Sequence, residues 1–389
     1  QAARAQPVAP EPAAPASGAP GPGGRRPPSP PVGAPPVPRA PWHPTWYVLG
    51  VVLLVLVTLV GAAGIVRAPY VVYAPGSATQ TQPAIAVPGS RTYEGDGSVL
   101  FLTVSLRGAS RQVGYVEAAV GWLRPTEDVF PRRAVIGDQT GQESREQSLQ
   151  VMAASQEVAA KVALEHLGYE VPEEGRGAVV LSTVEGSPVA TAVEPGDVIV
   201  GVDGTAVEVD SQLREVLDAS APGDEVTLEV ERGGEGDPEE VPVELIADPG
   251  DADRPLLGVS VFTRDLHYDL PFPVRIDTED VGGPSAGLAL TLGLLDLLTP
   301  GSLTGGETIA TTGSIDPDGV VGEVGGVAQK AVAAERAGAR LILVPEAEAD
   351  DARRFAGDLE VVGVSTLDDA LEALAGIGGN ALELDRPGG

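Results

Sequence analysis

An α+β protein behind a single apolar span is the fold class this sequence predicts, on three observations. Residues 46–66, WYVLGVVLLVLVTLVGAAGIV, run 21 positions without a charge. Beyond them, short β-rich runs bounded by glycine alternate with stretches whose apolar residues recur at helical spacing. In the last third, a glycine-serine loop leads directly into an apolar helix. At 389 residues the chain has room for two or three domains of roughly 100–200 residues each.

Composition removes several classes of function. With 43% apolar residues the chain can bury a sizeable core. Aromatics reach only 4%, while 50 glycines and 36 prolines point to loops and one unstructured segment. The absence of cysteine excludes disulfide frameworks, thiolate zinc sites and cysteine nucleophiles together. The histidines are His43, His166 and His267 alone, which argues against a multi-histidine metal site. A net charge of −31 argues against nucleic acid as a partner. No metal and no cofactor are expected.

The elements follow in order. Residues 1–45 form a Pro-, Ala- and Gly-rich tail that cannot bury enough apolar surface to order itself. The chain begins at Gln1 rather than Met, which leaves room for an upstream start. At 1.5 Å per residue, positions 46–66 span the ~30 Å hydrocarbon core of a bilayer. Trp42, Trp46 and Tyr47 gather at one end, where amphipathic rings favour the interface. A buried core helix rarely runs this far without a polar face. A cleaved signal has a shorter apolar region and a shorter lead. A single transmembrane helix is the expectation, with the lipid bilayer as its partner. Arg4, Arg25, Arg26 and Arg39 precede it against Glu11 alone, and the acidic bulk follows. That asymmetry predicts a cytoplasmic N-terminus and an extracytoplasmic body at the cell membrane, with Arg67 as a small counter-signal.

Residues 67–166 read as an α/β segment. Short strands are expected at 70–73 and 84–87, separated by a turn at 74–77. A stronger strand covers 98–105, and a helix runs over 143–167 with Leu149, Met152, Val158, Val162 and Leu167 near one stripe. Residues 167–247 then show a strand at 177–184, G-S-P at 186–188, P-G-D-V-I at 195–199, V-D-G at 202–204, a helix at 210–220 and a strand at 225–231. This order resembles a PDZ domain of the bacterial kind. The resemblance implies that a peptide adds as an edge strand, its carboxylate held by backbone N–H groups of a Φ-G-Φ loop. Leu167-Gly168-Tyr169 matches that loop as a peptide-binding site; the same glycine equally fits the end of the preceding helix. Val179 and Leu181 would face either a peptide or the core.

Residues 255–380 carry the chemistry. G-G-P-S-A-G at 282–287 opens an apolar helix closed by Thr299 and Pro300. Pro284 suits a first turn, placing Ser285 where unpaired N–H groups and the helix dipole favour a developing oxyanion. The bland reading is a glycine turn with a capping serine. A hydrolase nucleophile elbow needs its histidine after the serine, and all three histidines precede Ser285. His166 sits beside the PDZ-like module and His267 lies too close in sequence. Lysine is the remaining base. Of 25 basic residues only Lys161 and Lys330 are lysine. Arginine cannot shed its proton in a protein, whereas buried lysine can. Lys330 lies on an Ala-rich helix behind a glycine pair; Lys161 is read as a solvated lysine.

Together these residues resemble the proteolytic domain of the Lon family, serine proteases with a Ser–Lys dyad. The family's G-P-S-A-G matches residues 283–287 and carries the nucleophile to Ser285. Its G-G-Φ-x-x-K matches residues 325–330 and carries the base to Lys330. Its T-G-E threonine, which helps hold the dyad, aligns with Thr304 in T-G-G-E, and N–H groups near Gly283 and Ser285 would bind the oxyanion. The chain departs from full Lon proteases in lacking G-x-x-x-x-G-K-S/T, so no ATP is expected. Gly282 also replaces their common acidic residue, and the segment around 315–319 is longer. The order of anchor, PDZ and Lon-like domain is similar to membrane-anchored proteases of bacteria, particularly actinobacteria. The resemblance implies an ATP-independent serine endopeptidase, with polypeptide substrates recruited by the PDZ module and a homo-oligomeric ring, a hexamer. The alternative is a peptide-binding scaffold with a silent protease domain. Whether the strand at 99–105 completes the Lon-like fold, making the PDZ an insertion, is open at the level of sequence.

Overall fold

The computed structural model describes residues 44–384. Residues 1–43 of the tail read as disordered, Trp42 and His43 among them, lie outside these, while its last two, Pro44 and Thr45, begin a helix. Helix α1 (Pro44–Ile65) carries a segment, Thr45–Ala62, long and apolar enough to cross a membrane. Residues from Val57 onward form a second unit.

In chain order this unit contains β1 (Tyr70–Gln80), β2 (Ser98–Arg107), α2 (Tyr115–Leu123), β3 (Asp128–Pro131) and the long helix α3 (Gly141–His166). There follow β4 (Ala178–Thr183), β5 (Val198–Val202), α4 (Asp210–Leu217), β6 (Glu225–Glu231), β7 (Glu239–Glu244) and β8 (Val259–Thr263). The chain closes with α5 (Gly287–Leu298), β9 (Thr308–Thr311), α6 (Val327–Arg336), β10 (Leu341–Pro345), β11 (Glu360–Val364) and α7 (Leu367–Gly376).

The first sheet runs β11-β10-β9-β2-β1-β3. Its four strands from β11 to β2 are parallel, and β1 and β3 continue it antiparallel. Strand alternation divides the core in two. Val99, Phe101, Ile309, Leu341 and Leu343 join α3 and α5 on one face. Leu100, Leu102, Ala310, Ile342 and Val344 join α6 on the other. Helix α5 has no polar side because it is covered all round: Leu288, Leu290, Leu292, Leu294 and Leu295 are fully buried, each contributing about 1.5–3 kcal/mol.

The second sheet runs β7-β6-β5-β4-β8 around its own apolar core. It is nested in sequence between α3 and α5, while β2 on the N-terminal side pairs with β9 of the C-terminal part. Entry and exit lie side by side: Glu173 and Glu174 pair with His267 and Tyr268, and the Arg176 N–H donates to the Arg264 carbonyl at 2.9 Å.

Two boundaries differ from the sequence expectation. Residues 70–80 form one strand, because the Pro75-Gly76-Ser77 turn is absorbed as a register shift against β2, with the Ser77 N–H donating to Thr103 Oγ1. Strand β8 falls outside 167–247, beyond a hairpin at 246–256, yet its ladder is with β4.

Candidate active site

The loop before α5 is clamped from two sides. The Gly283 N–H donates to the Ser148 carbonyl of α3 at 2.8 Å, and Ser155 Oγ donates to the Pro284 carbonyl at 3.2 Å. Opposite, the turn after β9 donates twice to the Ser285 carbonyl, from the Gly313 N–H at 3.1 Å and from Thr312 Oγ1 at 3.2 Å. Gly283 is a glycine for its backbone, with φ +91°. Gly287 is one for space, since a Cβ there would stand 2.9 Å from the Ile315 nitrogen. These contacts fix a half-buried Ser285 at the start of an otherwise buried helix.

Lys330 approaches from α6, whose first turn starts at Gly326 in the left-handed region, φ +71°. Only 2% of Lys330 is exposed. Its Nζ donates to Thr312 Oγ1 at 3.0 Å. Burial pushes its pKa down to about 8, with the Glu348 carboxylate acting the other way. Ser285 and Lys330 thus line one cavity of about 550 Å³, shared with Tyr73, Ser77 and Arg145. Thr312 links them: lysine donates to its hydroxyl, and that hydroxyl donates to the Ser285 carbonyl.

The remaining expected residues fall elsewhere. Thr304 is not beside the lysine. It is fully buried in the loop before β9, its hydroxyl 3.5 Å from the Asp96 carbonyl. The threonine in contact is Thr312, at the end of β9, where T-T-G at 311–313 was the overlooked signal. The Gly283 N–H, expected near the oxyanion, is already spent on Ser148. The N–H groups of Ser285 and Ala286 make no hydrogen bond among the described residues. Lys161 is not solvated: it is 7% exposed, and its Nζ donates to the Pro317 carbonyl at 2.7 Å and pairs with Glu165 at 3.0 Å. His166 lies 3.9 Å from Asp368 and His267 is 2.8 Å from Glu174, neither lining the cavity. Among the described residues no group of three or more potential metal ligands converges.

Leu167-Gly168-Tyr169 is a helix cap, not a carboxylate loop. Gly168 has φ +76°, its N–H donates to the Glu165 carbonyl and the Tyr169 N–H to that of Leu164. Leu167 is buried in the main core, and Tyr169 packs edge-on against Phe272. One edge of the second sheet is β8, which among the described residues pairs only with β4. Leu257-Gly258-Val259 enters it with Gly258 at φ +83°, and the N–H groups of Leu257 and Gly258 make no hydrogen bond among the described residues. Helix α4 stands beside this edge, its Asp210 exchanging two hydrogen bonds with Thr263. The pattern repeats Φ-G-Φ but lies 90 residues past where linear order suggested. Of the two positions left open, Val179 is half-buried and Leu181 is exposed.

Comparison with known proteins agrees with this division. Residues 165–245 match the PDZ domain model, and residues 265–376 match the model of the Lon protease (S16) C-terminal proteolytic domain. The chain carries a domain of each kind. It is 36% identical to a Lon protease of Phenylobacterium zucineum over 124 residues, 30% of this chain and 15% of that protein. It is 39% identical to Lon protease 1 of Herpetosiphon aurantiacus over 93 residues, 24% and 11% of the two chains. The chain therefore spans well under a quarter of the length of these curated relatives. The crystal structure of the PDZ domain of an SdrC-like protein from Listeria monocytogenes is 25% identical, covering 22% of this chain and 87% of that one at a TM-score of 0.20.

Proposed function

We propose that this chain is an ATP-independent, membrane-anchored serine endopeptidase in which Ser285 is the nucleophile and Lys330 the general base. The observation that carries the reading is a lysine 2% exposed, with its pKa near 8, opening on the same cavity as a serine at a helix N-terminus. At pH 7 about one Lys330 in ten is then neutral. With one N–H given to Thr312, the lone pair of that neutral amine serves the Ser285 hydroxyl as it attacks a peptide carbonyl. The N–H groups of Ser285 and Ala286 receive the oxyanion at the positive end of α5. The lysine ammonium then protonates the leaving amine. Bound peptide is recruited by strand addition to β8, with a terminal carboxylate at Leu257 and Gly258. The anchor is α1, with the body outside the cytoplasm, and the active form is a ring of six chains acting on envelope or misfolded proteins.

The full chain in detergent micelles, given fluorescent casein without nucleotide, tests the reading. Turnover lost in Ser285→Ala supports it. No turnover by the unaltered chain would favour a scaffold whose protease domain is silent.

A further inference from the structure

Helix α2 presents the wrong residues to water. Its inward side is small: Ala118 is fully buried, and a Cβ on Gly121 would press on Val129 and Val72. Outward stand Tyr115, Val120, Trp122 and Leu123, the last 83% exposed. Residues 115, 119, 122 and 123 share one helical stripe, so α2 carries an exposed apolar face. Phe130 of β3 is exposed as well.

The face begins where the apolar span ends. Gly114, which starts α2, bridges to Arg67, and a Cβ on it would collide with the Gly64 carbonyl. Trp122 packs edge-on against Tyr70, 5.2 Å between ring centres. The chain has three tryptophans. Two, Trp42 and Trp46, sit at the start of the span, and the third sits beside its end. Next to the helix a cleft of about 490 Å³ holds Arg67, Arg107 and Arg111. Arg67 donates to the Gln112 carbonyl, and Arg107 pairs with Glu117 and Glu127. Arg111 has no ion pair or side-chain hydrogen bond among the described residues. Cations concentrated here, in a chain of net charge −31, stand out against the acidic whole.

We propose that α2 is a second membrane contact: its apolar face lies in the bilayer interface, and the arginine cleft holds the headgroups of anionic phospholipids. Aromatic rings favour that depth, and basic residues beside it favour an anionic surface. The contact would fix the body against the bilayer rather than leave it swinging on one helix. It rests on α1 being the anchor.

The test uses the full chain in liposomes containing phosphatidylcholine brominated high on the acyl chains. Trp42→Phe/Trp46→Phe leaves Trp122 as reporter, and Trp42→Phe/Trp122→Phe leaves Trp46. Quenching of both is expected, with Trp122 losing emission to an extent comparable with Trp46. Adding phosphatidylglycerol should deepen the quenching of Trp122, and Arg111→Glu should remove that increment. Quenched Trp46 with unquenched Trp122 overturns the proposal while leaving the anchor standing. No quenching of either overturns the anchor reading itself. An unquenched Trp122, with Leu123→Cys cross-linking between chains on oxidation, assigns the face to a second copy instead. Indifference to phosphatidylglycerol overturns the arginine cleft.

Discussion

Lys330 occupies a site that disfavours its own charge, and one hydroxyl holds its Nζ in place. Removing that hydroxyl should matter far more than removing the one at Thr304. Thr312→Val deletes the bond to Nζ and a bond to the Ser285 carbonyl. A hydrogen bond to a charged or titrating group is worth about 1.5–3 kcal/mol, so kcat should fall roughly ten- to a hundredfold. Thr304→Val should leave kcat within about twofold of the parent. Steady-state kinetics on a short fluorogenic peptide distinguishes them, and equal losses would return Thr304 to the site. Lys161 makes the complementary case. Its bond to the Pro317 carbonyl ties α3 to the hairpin turn at 316–319. Lys161→Arg should therefore destabilise by about 1–3 kcal/mol in a thermal melt, because a guanidinium fork does not fit the space of a buried ammonium. Ser285 and Lys330 stood out in the sequence because glycine loops flank both and lysine is otherwise nearly absent. The hydroxyl between them was hidden, since only the end of β9 brings Thr312 to Lys330. Lys161 was misread for the same reason: its partner lies 156 residues away.

At the level of elements, strand β2 and the buried helix α5 were legible, whereas the parallel partners β9, β10 and β11 were not assigned. A run such as 98–105, apolar on both faces, has few alternatives to a covered central strand. An 11-residue apolar run behind G-P-S-A-G must likewise be a helix enclosed on all sides. The second sheet was legible only in part. Its P-G-D-V-I turn was plain, but β8 arrives after a hairpin, and Φ-G-Φ recurs along the chain, at 167–169 and 257–259 among other places. The two glycines now make opposite predictions. Gly168→Ala forces a Cβ into the left-handed region and removes the helix stop, costing about 1–2 kcal/mol without changing peptide capture. Gly258→Asp places a carboxylate at the N–H groups assigned to a peptide terminus. It should abolish binding of a C-terminal peptide, measured by fluorescence anisotropy, while cleavage of a short peptide persists. Loss of binding in Gly168→Ala alone would restore the earlier loop.

For the molecule as a whole, the charge asymmetry around the span supports the proposed orientation, with the body outside the cytoplasm. External protease on intact spheroplasts should digest everything past residue 67 and spare an N-terminal tag; a protected body would reverse the assignment. The nested sheet gives the proposed recruitment and chemistry separate elements. Its two connecting segments meet in one short ladder, Glu173–Glu174 against His267–Tyr268. The central claim is that a neutral lysine activates Ser285, and the most direct measurement is kcat/KM against pH for a short peptide. Because the base works deprotonated and burial sets its pKa at about 8, activity should climb with pH to half its maximum near there. A folded Lys330→Arg variant should stay at the level of Ser285→Ala throughout, as guanidinium remains protonated. Substantial turnover by that variant, or a rise centred near the ~6.5 of histidine, would contradict the dyad.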